Sequence, residues 1–189
     1  RIYQDVIEKY LSGNINKDIL NMLNAKYFIV SDPQTGQRAV QLNQEAFGPC
    51  WFVKGTKLAT SPANELILLG QTNLRDTAIV NSEYAKELND LVGMDSSASI
   101  KLISYDNDAI VYQTNTSTKQ LAVLSEVFCP FGWNVYIDGK KSSYIKANYL
   151  LRAVAVPAGD HKVEFKFQPA SYRKGDNISY AVSIIVPVL

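Results

Sequence analysis

The sequence predicts an α+β fold in which a helical and mixed N-terminal part packs on a C-terminal antiparallel β-sandwich of jelly-roll type. Three observations predict it. Apolar residues recur at helical spacing in the first half of the sequence. Beyond about residue 98 they recur at every second position, and turn-forming residues separate the later segments. With 189 residues, 47% of them hydrophobic, the chain can bury a sizeable core.

Two helices and a strand are predicted near the start of the sequence. Asn16 is suited to cap the second helix, which leads into a strand at Tyr27–Val30. The first helix is indicated by apolar side chains at the spacing of one helix face, namely Tyr3, Val6, Ile7 and Tyr10.

Two more helices are predicted before the period changes. Ser61 followed by Pro62 is typical of a helix start, and Gly70 is typical of the residue that ends one. Ser82 begins another helix, which runs towards Gly93.

The second half predicts six antiparallel strands joined by short turns. In the last of these strands, Val163 and Phe165 point to one side and Lys162 and Glu164 to the other. This alternation indicates one buried and one solvent-exposed face. The chain then divides into a mixed part at 1–95, a sandwich at 96–177 and an apolar tail at 178–189. The six strands are Ile100–Tyr105, Ala109–Thr114, Gln120–Phe128, Trp133–Ile137, Leu150–Val156 and His161–Phe167.

Composition excludes several classes of function. Nineteen basic and eighteen acidic residues leave a net charge of +1, so the basic surface of a nucleic-acid-binding protein is missing and no nucleic-acid partner is expected. One His and two Cys are few for zinc sites, haem ligation or acid–base triads. We therefore expect neither a cofactor nor a metal, and no residue is assigned a catalytic role.

Two small motifs have a chemical and a structural interpretation. Asp106-Asn107-Asp108 matches the D-x-D pattern that holds a divalent cation in many sugar-nucleotide enzymes, but these residues are also typical of a turn, which we favour. A disulfide between Cys50 and Cys129 would close a long loop, but both lie beside aromatic residues where buried free thiols are common. We favour two free thiols.

Aromatic residues of the second half are the candidates for carbohydrate contact. Flat apolar rings edged by hydrogen-bonding groups suit sugar rings, although aromatics on strands belong more often to the core. Alternation places Trp133 with Val135, so we expect Trp133 in the core. The candidate sugar contacts are Tyr136, Tyr144, Tyr149 and Tyr172.

The end of the sequence is almost wholly apolar. No charge follows Asp176, and the segment Ile178–Leu189 reads ISYAVSIIVPVL. Its twelve residues are too few to span a bilayer, which takes about 20. The residues alone leave two interpretations open, a buried final strand or the beginning of a membrane helix.

A set of motifs resembles the C-terminal segment of the YfhO family of bacterial membrane proteins. Upstream, the stretches Leu20–Ile29 and Cys50–Val53 resemble preceding motifs of that family in the same order. The resemblance is strongest from Gln120 to Gly175. It rests there on Ser125-Glu126, Pro130, Gly132-Trp133, Asp138-Gly139, Ala147-Asn148, Leu151-Arg152-Ala153-Val154, Val156-Pro157-Ala158-Gly159, His161, Pro169 and Gly175.

The resemblance implies a polytopic protein of the bacterial cell membrane, similar to glycosyltransferases that use lipid-linked sugars, with this segment on the extracytoplasmic (periplasmic) face. It favours a truncated membrane helix at 178–189, and its catalytic acids would lie in early loops outside this segment. The expected partners are the rest of its own membrane domain and an envelope glycan or lipid-linked sugar. Three roles follow: a non-catalytic domain of a glycosyltransferase-like protein, a carbohydrate-binding β-sandwich, or a structural scaffold.

Overall fold

Most of the described chain is β-structure, with its few helices near the N-terminus. The computed structural model describes residues 2–91, 95–169, 171 and 175. The helical segments are α1 (Ile2–Val6), a π-helical turn (Ile7–Leu11), α2 (Lys17–Met22), α3 (Pro62–Leu69) and a 3-10 helix (Ser82–Leu88). The strands are β1 (Tyr27–Ser31), β2 (Arg38–Leu42), β3 (Cys50–Phe52), β4 (Gly55–Ala59), β5 (Thr77–Asn81), β6 (Ser99–Tyr105), β7 (Ala109–Thr116), β8 (Gln120–Val127), β9 (Trp133–Ile137), β10 (Lys140–Ser142), β11 (Ile145–Ala147), β12 (Leu151–Val156) and β13 (Gly159–Phe167).

The strands form two large sheets and a separate hairpin. One sheet has the order β10-β9-β13-β7-β6, the other has the order β3-β8-β12-β11-β5-β4, and β1 pairs with β2. Neighbouring strands in these sheets run antiparallel except β4 and β5, which run parallel because α3 connects them as a crossover. The predicted α+β fold with a β-rich C-terminal part is confirmed.

The six-stranded sheet is buried on both faces. One face meets the five-stranded sheet around Val154, Val135 and Phe165, and the other is covered by the N-terminal helices through Ile19 and Leu69. Strands β8 and β12 therefore lie at the centre of three layers. This double burial explains why their sequences are nearly continuous apolar runs rather than alternating ones.

The six strands predicted in the second half are all present, with ends that differ by at most two residues from the prediction. Further strands, β3, β4 and β5, lie before residue 96 and join the same sheet as β8 and β12. The segment that begins at Ser82 is a 3-10 helix rather than the α-helix expected there. Among the described residues, no helix has both the length and the apolar character needed to cross a bilayer. The tail at 178–189 lies outside the described residues.

Candidate functional site

The candidate Tyr149 is an internal anchor between the N-terminal helix and the six-stranded sheet. Its side chain is 7% exposed, and its hydroxyl donates a hydrogen bond to Asp5 Oδ2 at 2.8 Å. Its backbone N–H donates to Glu65 Oε1 at 2.9 Å. The ring is thus enclosed by the fold and presents no open face on which a sugar could stack.

The turn that holds Tyr149 is built from two residues with left-handed backbone. Asn148 has φ 48° and Tyr149 has φ 69°. Asn148 is fully buried, accepts a hydrogen bond from Ile79 N at 2.8 Å through Oδ1, and donates its own N–H to Ile79 O at 2.7 Å. Asn is among the few residues that adopt this conformation readily, so its place here has a physical reason.

A buried ion pair lies beneath this turn. Glu65 in α3 is fully buried, and its Oε2 lies 3.2 Å from Lys146 Nζ. Burial raises the pKa of Glu65, and the ammonium of Lys146 opposes that shift. The pair connects α3 to β11. The one signal for it in the sequence is an acidic residue on a mostly apolar helix.

The candidate Tyr144 is half-buried between the sheets. Its hydroxyl donates to Cys129 O at 2.6 Å, and its ring packs 5.4 Å from that of Phe165 and 5.5 Å from that of Phe128. Tyr144 also lines a cleft of about 290 Å³ together with Lys86 and Lys119.

The candidate Tyr136 lies on the outer face of the five-stranded sheet, as alternation predicts. Its hydroxyl donates to Gln168 Oε1 at 2.9 Å, and Lys166 Nζ lies 5.4 Å from the centre of its ring. Tyr136 therefore remains the most accessible of the three described candidates. The fourth, Tyr172, lies outside the described residues.

Trp133 shares the inward face of β9 with Val135, but it is only partly buried because it begins the strand at one end of the sandwich. Its ring lies 4.3 Å from the guanidinium of Arg152 and 5.4 Å from the ring of Phe167. Sequence reasoning placed Trp133 correctly by face and overestimated its burial.

Arg152 is a buried cation that the sequence analysis did not single out. Its Nε donates to Val127 O at 3.0 Å, while its Nη1 is buried with no hydrogen-bond acceptor among the described residues. The positive charge opposes the burial that raises the pKa of Glu126 nearby. A lone charged residue inside the apolar run Leu151–Val156 was the available signal.

A larger cleft of about 460 Å³ opens beside β3 and the start of β6, and none of the candidate tyrosines lines it. Its charged lining includes Lys54 and Asp76, whose Nζ and Oδ1 atoms are 3.0 Å apart. Hydrogen bonds from Ser97 and Ser117 lower the pKa of Asp95 at its rim. The lining of the cleft therefore combines these charged side chains with two aromatic residues, Trp51 and Phe52.

The Asp106-Asn107-Asp108 motif forms the turn between β6 and β7, where Asp106 Oδ1 accepts from Asn107 N at 2.7 Å. His161 Nδ1 lies 2.6 Å from Asp138 Oδ2 and ties two turns together. The two cysteines are free thiols. In the described part of the chain, no three side chains of His, Cys, Asp or Glu are grouped so that they could hold a metal ion.

Comparison with known proteins identifies the family. Searches of curated proteins and of solved structures gave no match. A family model described as bacterial membrane protein YfhO matches residues 64–179, which is more than half of the chain. The matched span includes most of α3, the turn at Asn148-Tyr149 and strands β5 to β13. The chain therefore belongs to the YfhO family of bacterial membrane proteins.

Proposed function

We propose that this chain is a non-catalytic extracytoplasmic domain of a polytopic membrane protein similar to the glycosyltransferases that use lipid-linked sugars, and that the parent modifies cell-envelope glycopolymers. Family membership supports the membrane context. The observation that carries the proposal is the change of composition after the sandwich, where an uncharged apolar segment, Ile178–Leu189, follows Asp176. An uncharged apolar segment of this kind is typical of a part of the chain that enters a bilayer.

The environment of the tyrosines supports a scaffolding role over sugar binding through aromatic rings. Tyr149 and Tyr144 use their hydroxyls on Asp5 and on the carbonyl of Cys129, inside the fold. A stacking site needs several accessible ring faces around one cleft. These two rings instead hold the N-terminal helix and the two sheets in place.

The test is the side of the membrane on which the sandwich lies in the parent protein. Lys140, exposed in the β9–β10 hairpin, is replaced by Cys in the whole protein, and the unsubstituted protein is the control for its own thiols. We expect a membrane-impermeant maleimide to label Lys140→Cys from outside in intact spheroplasts. Labelling of that position only after lysis would contradict the extracytoplasmic assignment.

The second candidate function is glycan binding, favoured by the 460 Å³ cleft, whose size suits a small ligand. Its charged side chains would recognise an acidic or polar saccharide, and Lys54 is the lining cation that the test removes. Lys54→Ala and Lys57→Ala form a matched pair of variants, because Lys54 lines the cleft and the exposed Lys57 lies outside its lining. Loss of retention on immobilised envelope polysaccharide by Lys54→Ala alone would favour this candidate.

A further inference from the structure

One end of the sandwich carries a group of exposed apolar side chains. Strands β6, β8 and β13 end there, and β7, β9 and β12 begin there, as the antiparallel registers require. We call it the exit end, since β13 is the last described strand. It is defined by Tyr105, Val127, Phe131 and Phe167, whose exposed fractions are 61%, 45%, 80% and 42%.

These side chains lie on neighbouring chain segments. Phe167 pairs with Trp133, and its ring packs against the backbone of Gly132, the residue next to Phe131. Gln168 N donates to Gly132 O at 2.6 Å, which fixes the loop that presents Phe131.

Arg152 joins the two sheets at the same end. It bonds the carbonyl of Val127 in one sheet and stacks on Trp133 in the other. The negative charge of Glu126 raises the pKa of Tyr105, so Tyr105 lies near Glu126 and its neighbour Val127. The four apolar side chains therefore lie together at one end of the sandwich.

The opposite end has a different character. Its turns are formed by polar or small residues, and the exposed large apolar side chains identified in the described chain include none from them. These turns are 115–119, 138–141 and 157–160. Exposed apolar side chains also occur elsewhere in the described chain, chiefly on the β1–β2 hairpin. Between the two ends of the sandwich, however, the contrast is clear, and a group of such side chains at one end marks a contact surface.

The path of the chain indicates what covers this surface. The apolar segment that starts at Ile178 follows Phe167 by eleven positions, so the exit end is the end nearest to it along the chain. Helix α1 is held at the same end, because Asp5 accepts from Tyr149 in the turn before β12. Both ends of the described domain therefore lie on the side that carries the exposed aromatics.

We propose that the exit end rests in the interfacial layer of the lipid bilayer, with the ring of Phe131 inserted furthest. The inference rests on the proposed function, in which 178–189 begins a membrane helix. Aromatic side chains favour the headgroup level of a bilayer, where an apolar body and a polar edge are both accommodated. Asp106 and Asp108 in the adjacent turn limit the depth, since carboxylates are costly in hydrocarbon.

The experiment compares two positions on the full chain bound to vesicles of phosphatidylethanolamine and phosphatidylglycerol. An environment-sensitive fluorophore is attached at Phe131→Cys or at Lys140→Cys, each in a Cys129→Ser background. Cys50 is buried and its pKa is raised to about 12, so it stays unlabelled under native conditions. Phe131 is largely exposed, so its replacement leaves the fold intact, which an unfolding curve checks.

We expect lipids brominated near the headgroup to quench the probe at Phe131 about twofold and to leave the probe at Lys140 nearly unchanged. Lys140 pairs with Ile137, about 13 Å along β9 from Trp133, which is beyond the reach of a bromine quencher. Quenching at both positions, or at Lys140 alone, would overturn the inference.

Two other outcomes separate this inference from the proposed function. If the chain binds the vesicles and neither probe is quenched, the exit end faces water or protein, and the inference fails while membrane attachment stands. If the chain does not bind vesicles at all, the membrane assignment of 178–189 fails, and the inference fails with it.

Discussion

Replacement of Asn148 by Ala tests the reasoning that links sequence, turn and fold. Asn148 is fully buried, has φ 48°, and supplies the side-chain oxygen that accepts from Ile79 N at 2.8 Å. The substitution removes that acceptor from a buried N–H and replaces Asn, which adopts the left-handed region readily, by Ala, which does not. We expect a large loss of stability without a change of fold.

The two contributions have separate magnitudes. A buried backbone N–H left without an acceptor costs about 1 to 3 kcal/mol. The left-handed conformation costs a residue with a β-carbon and no compensating side chain about 1 to 2 kcal/mol more. Asn148→Ala should therefore lower the free energy of unfolding by about 2 to 5 kcal/mol, a large part of a typical domain's ~5 to 15.

Asn148→Gly is the matched control, since glycine loses the same acceptor but adopts positive φ without strain. We expect it to cost about 1 to 3 kcal/mol, less than alanine, in urea unfolding followed by circular dichroism. Nδ2 of Asn148 is buried with no partner in the described chain, and both variants remove it, so its effect cancels in the comparison. Equal losses for the two variants would refute the backbone argument, and a loss below about 0.5 kcal/mol for both would refute the hydrogen-bond argument.

Three further predictions concern the sandwich and its titratable groups. The hydrogen bond with Asp138 raises the pKa of His161, so the stabilisation from protonated His161 is complete below pH 6.5 and is lost as pH rises through the raised pKa. His161→Gln should remove this pH dependence from urea unfolding midpoints measured across that range. An unchanged pH dependence in the variant would contradict the prediction. Phe165→Ala should cost about 3 to 5 kcal/mol because Phe165 is fully buried, whereas a loss below ~1 kcal/mol would mean that the sheets do not meet there. Native protein should expose one rapidly reacting thiol, Cys129, and denatured protein without reductant should expose two; fewer would indicate a bridge to Cys50.

Periodicity predicted the strands of the second half well where a strand has one buried and one wet face. Strand β9 has the bounds predicted for it, because Trp133 to Ile137 alternate and Asp138-Gly139 forms the turn that ends it. Strand β4, by contrast, lies at the edge of its sheet with four of its five residues exposed, so it lacks an apolar signal. Strands β10 and β11 have three residues each, which is too short for any period to show.

The roles of individual side chains were harder to predict because they depend on distant parts of the chain. The sequence indicates Tyr149 only as a candidate sugar contact, whereas its burial follows from its partners Asp5 and Glu65, which lie far away in sequence. The buried Arg152 likewise depends on Trp133 in the other sheet. Local pattern records which face a residue occupies but not what covers that face.

In the proposed arrangement, this domain stands on the bilayer with its exit end towards the lipid. The most direct measurement places a nitroxide at Phe131 or at Lys140 in the whole parent protein in native membranes and compares collision rates with oxygen and with a water-soluble nickel complex. Oxygen concentrates in lipid and the nickel complex in water, so we expect a higher ratio of oxygen to nickel collision rates at Phe131 than at Lys140. An equal or reversed ratio would contradict it.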